Sequence, residues 1–176
     1  HQENNIITVL KHFPGHGSSS TDTHKEFTDI TDSWIVEELY PYHNLIKEDK
    51  AMGVMTSHVV NKKIDNEMLP ATLSEKIIGK LLREFLDYDG VVFSDDMQMG
   101  AITKYFGLEE AIVRSINAGV DVLIFSNNQL YKDTVTPDKV ISIIEENVRD
   151  GEISIFKIND SFRRIQKLKK KIELIN

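Results

Sequence analysis

Histidines and aspartates in two short segments are the residues of this sequence best suited to chemistry. The first segment, KHFPGHGSSSTDTHKE from residue 11, contains three histidines, a lysine and an aspartate among small residues. Within it, Asp22 and His24 are two positions apart, so the carboxylate can bind one ring nitrogen while the other nitrogen faces a substrate. This pair predicts an oriented imidazole for general acid–base work.

The residues alone leave two other interpretations of the first segment open. Asp22 and His24 are also ordinary turn residues. Imidazole and carboxylate groups together also suit zinc and other divalent ions. Such a metal site would take its ligands from His12, His16, Asp22 and His24.

The second segment is an aspartate pair that follows an apolar run, in GVVFSDD from residue 90. Asp95 is expected at a strand tip, where a carboxylate kept ionised by donors such as Lys11 can attack the anomeric carbon of a sugar. Helix capping or loop hydrogen bonding is the alternative for such a pair, and it suits Asp96 better. A further histidine, His58 in MTSHV, either contacts a substrate or packs as a structural group.

Four apolar runs predict the parallel strands that would bring these residues together. Each run is apolar without strict alternation and is followed by a turn and a helical pattern, which is typical of βα units. The carboxyl ends of such strands meet at one edge, where active sites form. The predicted strands are 6–10, 51–55, 90–93 and 120–125. The predicted helices run from Pro41 to about Lys47, from a Thr72–Glu75 capping box to about Leu86, from Leu108 to Gly119, from Thr136 to about Gly151, and from about Asp160 onward.

Two α/β architectures accommodate four βα units in 176 residues. One is a small doubly wound sheet, and the other is half of an eight-stranded barrel, for which about 250 residues is typical. Periodicity does not separate the two. The sequence has neither the glycine-rich dinucleotide fingerprint nor the P-loop that often accompanies an open nucleotide-binding sheet.

Composition narrows the possible partners. A formal charge of −7 argues against nucleic acid, which requires a clustered positive surface. The only basic run is at the tail, where Ile165, Leu168 and Ile172 recur at helical spacing and predict a helix whose lysines face water. No apolar run approaches the roughly 18 to 20 residues that cross a bilayer. The absence of cysteine excludes disulfides but does not identify the compartment.

Five segments, in this order, resemble the family-3 glycoside hydrolases of the β-N-acetylglucosaminidase branch. They are KHFPGHG, DTH, MTSHV, GVVFSDDMQMGAI and INAGVDVLIFSNN. The resemblance covers essentially the whole chain. It implies a (β/α)₈ TIM-type barrel, of which residues 1–176 would be the C-terminal half: the last four βα units and a C-terminal helix.

The resemblance also implies a reaction and residue roles. The reaction is retaining hydrolysis of terminal β-linked N-acetylglucosamine from cell-wall fragments or chito-oligosaccharides, without a metal or organic cofactor. Asp95 would be the nucleophile, His24 the acid/base and Asp22 its orienting partner. Lys11 and His12 would hold hydroxyls of the bound sugar, and His58 is a weaker candidate for substrate binding.

The first four βα units of that family precede the KHFPGHG strand and are not in these residues. The opening HQENN is no start methionine, so the natural N-terminus is expected upstream. Because a half-barrel exposes two sheet edges and an apolar face, we expect it to pair with an N-terminal half, to self-associate into a barrel of two halves, or to be an incomplete copy of a longer protein. We favour the incomplete copy. The alternative in another class is a non-catalytic half-barrel that acts as an assembly or binding module.

Overall fold

A four-stranded parallel sheet forms the centre of the computed structural model, which describes residues 6–16, 28–128 and 134–171. A second sheet joins two short parallel strands. The main sheet has the order β1-β3-β5-β6, with β1 at Val9–Phe13, β3 at Gly53–Thr56, β5 at Val91–Asp96 and β6 at Val122–Ile124, and the small sheet pairs β2 at Thr28–Asp29 with β4 at Val59–Val60. The predicted α/β arrangement of βα units is present.

Helices follow the main strands in chain order. The α-helices are α1 at Tyr40–Lys47, α2 at Gly100–Thr103, α3 at Leu108–Ala118, α4 at Pro137–Arg149 and α5 at Ile155–Lys171. A π-helix spans Lys76–Phe85, and 3-10 segments span Val36–Leu39 and Ala71–Leu73. Within the described ranges, no helix is both long and apolar enough to span a membrane.

Three predicted helix ends are confirmed, and each depends on a local signal. Pro41 lies in the first turn of α1. Gly119 closes α3 with a φ of 112°, the left-handed conformation that glycine adopts without steric cost. The Thr136 side chain accepts a hydrogen bond from the Lys139 N–H at 3.3 Å and so caps α4.

The predicted capping box of Thr72 and Glu75 is wrong. The Ser74 hydroxyl accepts the Ile77 N–H instead, at 3.1 Å, and the regular helix begins at Lys76. The Thr72 hydroxyl is buried and bonded to groups outside the helix. The sequence pattern placed the cap two residues too early because it does not contain those long-range partners.

Other boundaries also differ from the predictions. The second strand is Gly53–Thr56 instead of 51–55, and the fourth is Val122–Ile124 instead of 120–125. The first strand is Val9–Phe13 instead of 6–10, because its pairing with β3 continues to Phe13 opposite Thr56. Lys11 and His12 therefore lie inside the strand. The third predicted strand extends to Asp96, and the last helix begins at Ile155 instead of about Asp160.

The π-helix packs on one face of the main sheet. Val54 and Val92 pack there with Ile78 and Leu82 of the π-helix, and all four are fully buried. Burial of each such side chain contributes roughly 1.5 to 3 kcal/mol. This cluster fixes the strands whose ends form the candidate site.

Helix α5 covers a second cluster beside the sheet. Its Leu168 and Ile165 pack with Met52 and Val91, which confirms the predicted apolar face over the described part of that helix. Ile172 lies outside the described residues.

A buried ionic cluster lies at the amino end of β6. The carboxylate of Asp121 is fully buried and accepts hydrogen bonds from Arg83 at 2.7 Å and Arg164 at 2.8 Å. It also accepts the Val92 N–H at 2.8 Å and the Ser161 hydroxyl at 2.7 Å. Asp121 thus joins the π-helix, β5 and α5 at the edge of the sheet opposite the candidate site.

Candidate active site

Asp95 lies at the end of β5, where the pairing with β6 shifts register between Phe93 and Asp96. Such irregularities re-aim side chains at strand ends. The Oδ1 atom of Asp95 accepts the Asp96 N–H at 2.8 Å. Its Oδ2 atom lies 3.8 Å from His12 Nε2, which is too long for a hydrogen bond. One carboxylate oxygen is therefore held by the backbone, and the other faces His12.

His12 reaches Asp95 from β1, two strands away in the sheet. Burial lowers the pKa of His12 below its ordinary value, and although Asp95 opposes this, Lys11 and His16 lower it further. The ring is therefore mainly neutral near pH 7. A neutral imidazole can donate or accept a hydrogen bond without adding a charge beside Asp95.

Lys11 and His16 line an open cleft next to β1 together with His12 and Glu38. The rings of His12 and His16 contact edge to face, with centroids 5.9 Å apart. Although Lys11 lies within β1, its side chain is exposed. It therefore does not need the acidic partner that a buried lysine would require. Among the described contacts it forms no ion pair with Asp95.

Asp96 anchors two loops. Its carboxylate accepts the Gln98 N–H at 3.0 Å, the Ser126 N–H at 3.1 Å and the Ser126 hydroxyl at 2.5 Å. These bonds tie the end of β5 to the segment after β6. The loop hydrogen-bonding interpretation of Asp96 agrees with this geometry.

His58 is completely buried, directly behind Asp96. Its Nε2 lies 2.9 Å from the Asp96 carbonyl oxygen, and its Nδ1 lies 2.9 Å from the Thr72 hydroxyl. Burial lowers the pKa of His58, so the ring is neutral at pH 7. Because both nitrogens are bonded within the protein, the geometry favours the structural interpretation of His58 over a substrate contact.

Asp22 and His24 lie outside the described residues. The chain on both sides of that segment is held to the framework. The Trp34 indole N–H donates to the Pro14 carbonyl at 2.9 Å, and the Ile30 N–H donates to the Val60 carbonyl at 2.9 Å.

One structural residue of the site, Gln98, escaped the sequence analysis. Gln98 and Asn127 exchange two hydrogen bonds, from Gln98 Nε2 to Asn127 Oδ1 at 3.1 Å and from the Asn127 N–H to Gln98 Oε1 at 2.6 Å. The only sequence signal was the position of Asn127 after an apolar run. Thr72 gave a misleading signal because its spacing to Glu75 imitates a capping box.

The metal interpretation has limited geometric support. No group of three or more histidine, cysteine, aspartate or glutamate side chains able to hold a metal ion occurs in residues 6–16, 28–128 and 134–171. Two of the four candidate ligands, Asp22 and His24, are outside those ranges.

Comparison with known proteins identifies the family. The sequence model described as "Glycosyl hydrolase family 3 N terminal domain" matches residues 1–168. The chain belongs to glycosyl hydrolase family 3. The resemblance stated from the motifs is thereby confirmed.

Individual relatives match over most of this chain. "Beta-hexosaminidase LpqI" of Mycobacterium tuberculosis is 34% identical over 172 residues, which cover 93% of this chain and 42% of that protein. The structure of a family 3 β-N-acetylglucosaminidase from Paenibacillus superposes with a TM-score of 0.84 at 31% identity, covering 98% of this chain and 32% of that one. Zinc-bound CbsA from Thermotoga neapolitana gives 0.82 at 33% identity, covering 96% and 36%.

These family 3 structures confirm the predicted (β/α)₈-type fold class. The chain spans less than half the length of each relative named above. It therefore corresponds to part of those larger family 3 proteins.

Proposed function

We propose that this chain is the C-terminal half of a family 3 catalytic barrel, and that the barrel removes terminal β-linked N-acetylglucosamine with retention of configuration. The observation that carries the proposal is the Asp95 carboxylate at the end of β5, with Oδ1 held by the Asp96 N–H and Oδ2 3.8 Å from His12 Nε2. The names of the relatives, beta-hexosaminidase and β-N-acetylglucosaminidase, support the substrate class. Peptidoglycan fragments and chito-oligosaccharides both contain such a terminal sugar.

The proposed mechanism is a two-step displacement. Oδ2 of Asp95 attacks the anomeric carbon while His24 protonates the departing glycosidic oxygen, which leaves a glycosyl ester on Asp95. His24 then takes a proton from water, the water oxygen attacks the anomeric carbon, and the ester bond breaks. Asp22 orients His24. A neutral base avoids the repulsion that a second carboxylate would exert on Asp95.

We assign sugar binding to Lys11 and His12. Lys11 offers an exposed ammonium group, and His12 offers a neutral ring 3.8 Å from the proposed nucleophile. Donors placed there can bind hydroxyls of the sugar while its anomeric carbon lies over Asp95.

Hydrolysis of a chromogenic β-N-acetylglucosaminide tests the assignment of Asp95. The assay uses the chain mixed with the separately expressed N-terminal half of a related family 3 barrel, here called the reconstituted barrel. Asp95→Asn preserves the side-chain size and the acceptor for the Asp96 N–H but removes the nucleophile, so activity should fall to background. Asp138→Asn, an exposed change on α4, is the matched control and should leave the rate intact. Unchanged activity in Asp95→Asn would refute the nucleophile assignment.

His24 is tested by the same assay with two leaving groups. His24→Ala should lower hydrolysis by roughly 10² to 10⁴-fold for a natural disaccharide, the usual range for a lost acid–base group. A chromogenic substrate with an acidic phenol leaves more easily without protonation, so the loss in the first step should be smaller. An equal loss for both substrates would argue against His24 as the acid.

A metal-dependent mechanism is the alternative. The edge-to-face contact of His12 with His16 supports it from the structure, and the zinc-bound CbsA structure supports it from the comparisons. We expect the reconstituted barrel to keep its activity after dialysis against a chelator. Loss of activity that added zinc restores would favour the metal site over the mechanism above.

A further inference from the structure

A chain of buried polar groups lies beneath the proposed nucleophile. Thr56 Oγ1 is 2.7 Å from Thr72 Oγ1, which is 2.9 Å from His58 Nδ1. On the other side of the ring, His58 Nε2 is 2.9 Å from the Asp96 carbonyl oxygen. Thr56, His58 and Thr72 each have 0% exposed surface. Buried groups of this kind must find their hydrogen-bond partners within the protein.

The positions of the protons follow from the acceptors. A carbonyl oxygen only accepts, so His58 Nε2 must carry a proton to bind the Asp96 carbonyl. Because the buried ring is neutral, Nδ1 has no proton and accepts a hydrogen bond from the Thr72 hydroxyl. The Thr72 hydroxyl also donates to the Ser57 carbonyl at 2.9 Å, so its proton is shared between two acceptors. The Ser57 carbonyl has the Thr72 N–H as a second donor at 3.2 Å, whereas among the described contacts Nδ1 has only the Thr72 hydroxyl. The Thr56 hydroxyl is then left to donate to Thr72.

Asp96 connects these buried groups to the proposed nucleophile through backbone hydrogen bonds. Its carbonyl accepts His58 Nε2–H and the Met99 N–H, the latter at 3.0 Å, and its own N–H donates to Asp95 Oδ1 at 2.8 Å. The ring of His58 therefore supports the backbone group that holds one oxygen of Asp95 and leaves the other free to react.

We propose that Thr72 is a positioning residue: its hydroxyl fixes the orientation and tautomer of His58, and His58 fixes the Asp96 backbone that orients Asp95. Without the hydroxyl, Nδ1 becomes a buried acceptor with no donor. The ring then has no bond on that side to define its rotation, and its hydrogen bond to the Asp96 carbonyl weakens. The kinetic part of this inference rests on the proposed function, whereas the structural part does not.

Nitrogen-15 NMR of the 176-residue chain tests the structural part. In the wild type, His58 Nδ1 should resonate as an unprotonated nitrogen and Nε2 as a protonated one, with a ring N–H that exchanges slowly with water. A protonated Nδ1 in the wild type would overturn the proposal. In Thr72→Val, the slow Nε2–H signal should broaden or be lost, and its persistence unchanged would also overturn the proposal.

Two variants separate positioning from loss of stability. Thr72→Ser keeps the hydroxyl and should keep the slow His58 signal. Thr56→Val removes a buried hydroxyl from the same chain, but one that does not touch His58, so the signal should persist there too. If Thr72→Val does not fold, Thr72→Ala replaces it, because alanine also lacks the hydroxyl and has a smaller side chain. Loss of the signal in Thr56→Val as well as in Thr72→Val would mean that general loosening is the cause.

Kinetics of the reconstituted barrel test the second part. Thr72→Val should lower kcat by about 10- to 100-fold, the effect of losing support behind a catalytic group, with little change in KM because Lys11 and His12 are untouched. Thr72→Ser should restore most of the rate. A rate in Thr72→Val no lower than in Thr56→Val would overturn the positioning role. Full activity in Asp95→Asn would instead refute the proposed function and leave the NMR result to decide the role of Thr72.

Discussion

The two oxygens of the Asp95 carboxylate have different surroundings, although the sequence gives no reason to distinguish them. Oδ1 accepts a backbone N–H from the next residue, and Oδ2 faces His12 across 3.8 Å. A backbone donor disperses part of the negative charge without removing it. The donor in contact with the carboxylate is thus a backbone N–H, whereas the sequence analysis had expected Lys11 as a neighbouring donor.

At the scale of single residues, we expect the protonation of His58 to contribute to the pH dependence of the free energy of unfolding. Its pKa in the folded chain is below the ordinary value of 6.5 because the ring is buried. As pH falls below 6.5, the unfolded chain gains a proton on His58 before the folded chain does. The contribution of His58 to the free energy of unfolding is therefore full above that pH and declines as pH falls toward the folded pKa.

Urea unfolding between about pH 5 and 8 measures this linkage. His58→Gln should flatten the slope in that window, while His43→Gln, at an exposed position, should leave it unchanged. Asp29 and Asp89 do not interfere, because each has a pKa of about 2 and titrates at lower pH. Parallel curves for the wild type and His58→Gln would contradict the assignment of a buried neutral ring.

Secondary-structure elements were predictable where the signal is local. Gly119 and Thr136 end and begin helices through bonds to residues three or four positions away. The prediction of Thr72 as a cap was wrong because its hydroxyl bonds to His58, which is 14 positions away. Nothing in the sequence indicates that contact. The strand ends failed for the same reason: pairing with β3 extends β1 through Lys11 and His12, which are polar.

The element most dependent on a single side chain is the amino end of β6. Asp121→Asn would leave Arg83 and Arg164 largely buried beside a neutral group, with 15% and 11% of their side chains exposed. Breaking a buried ion pair in this way costs roughly 3 to 5 kcal/mol. We expect the free energy of unfolding in urea to fall by about that amount.

An exposed ion pair provides the matched control for Asp121. Glu110 pairs with Arg114 one turn away on α3, and both side chains are more than 40% exposed. Glu110→Gln should therefore lower the free energy of unfolding by no more than about 0.5 kcal/mol. Equal effects of the two substitutions would show that the Asp121 cluster is not the structural centre that its burial indicates.

For the whole molecule, the sequence motifs alone indicate the family, and the family model matches residues 1–168. Periodicity alone could not have separated a barrel from an open sheet, because both consist of the same βα units. In the described chain, β1 and β6 each pair on one side only. Met55, Phe93 and Ile124 of the strands are only partly buried.

These edges lead us to expect complementation. The chain and the N-terminal half of a related barrel should elute together in size-exclusion chromatography, and hydrolysis should occur only in the mixture. Activity in the chain alone as a self-associated species would favour a barrel made of two identical halves. A folded mixed complex without activity would favour the non-catalytic assembly module.

The contacts that hold the chain on either side of residues 17–27 have an evolutionary consequence. Trp34 holds Pro14, and β2 is held against β4, so the fold is secured on both sides of the segment that carries Asp22 and His24. These contacts are made by residues outside 17–27, so a change within that segment leaves them in place. Exchanging residues 17–27 with those of a relative should transfer pH preference or leaving-group tolerance while thermal stability stays nearly constant. In such a protein, new specificity can arise by grafting a short peptide onto an old framework.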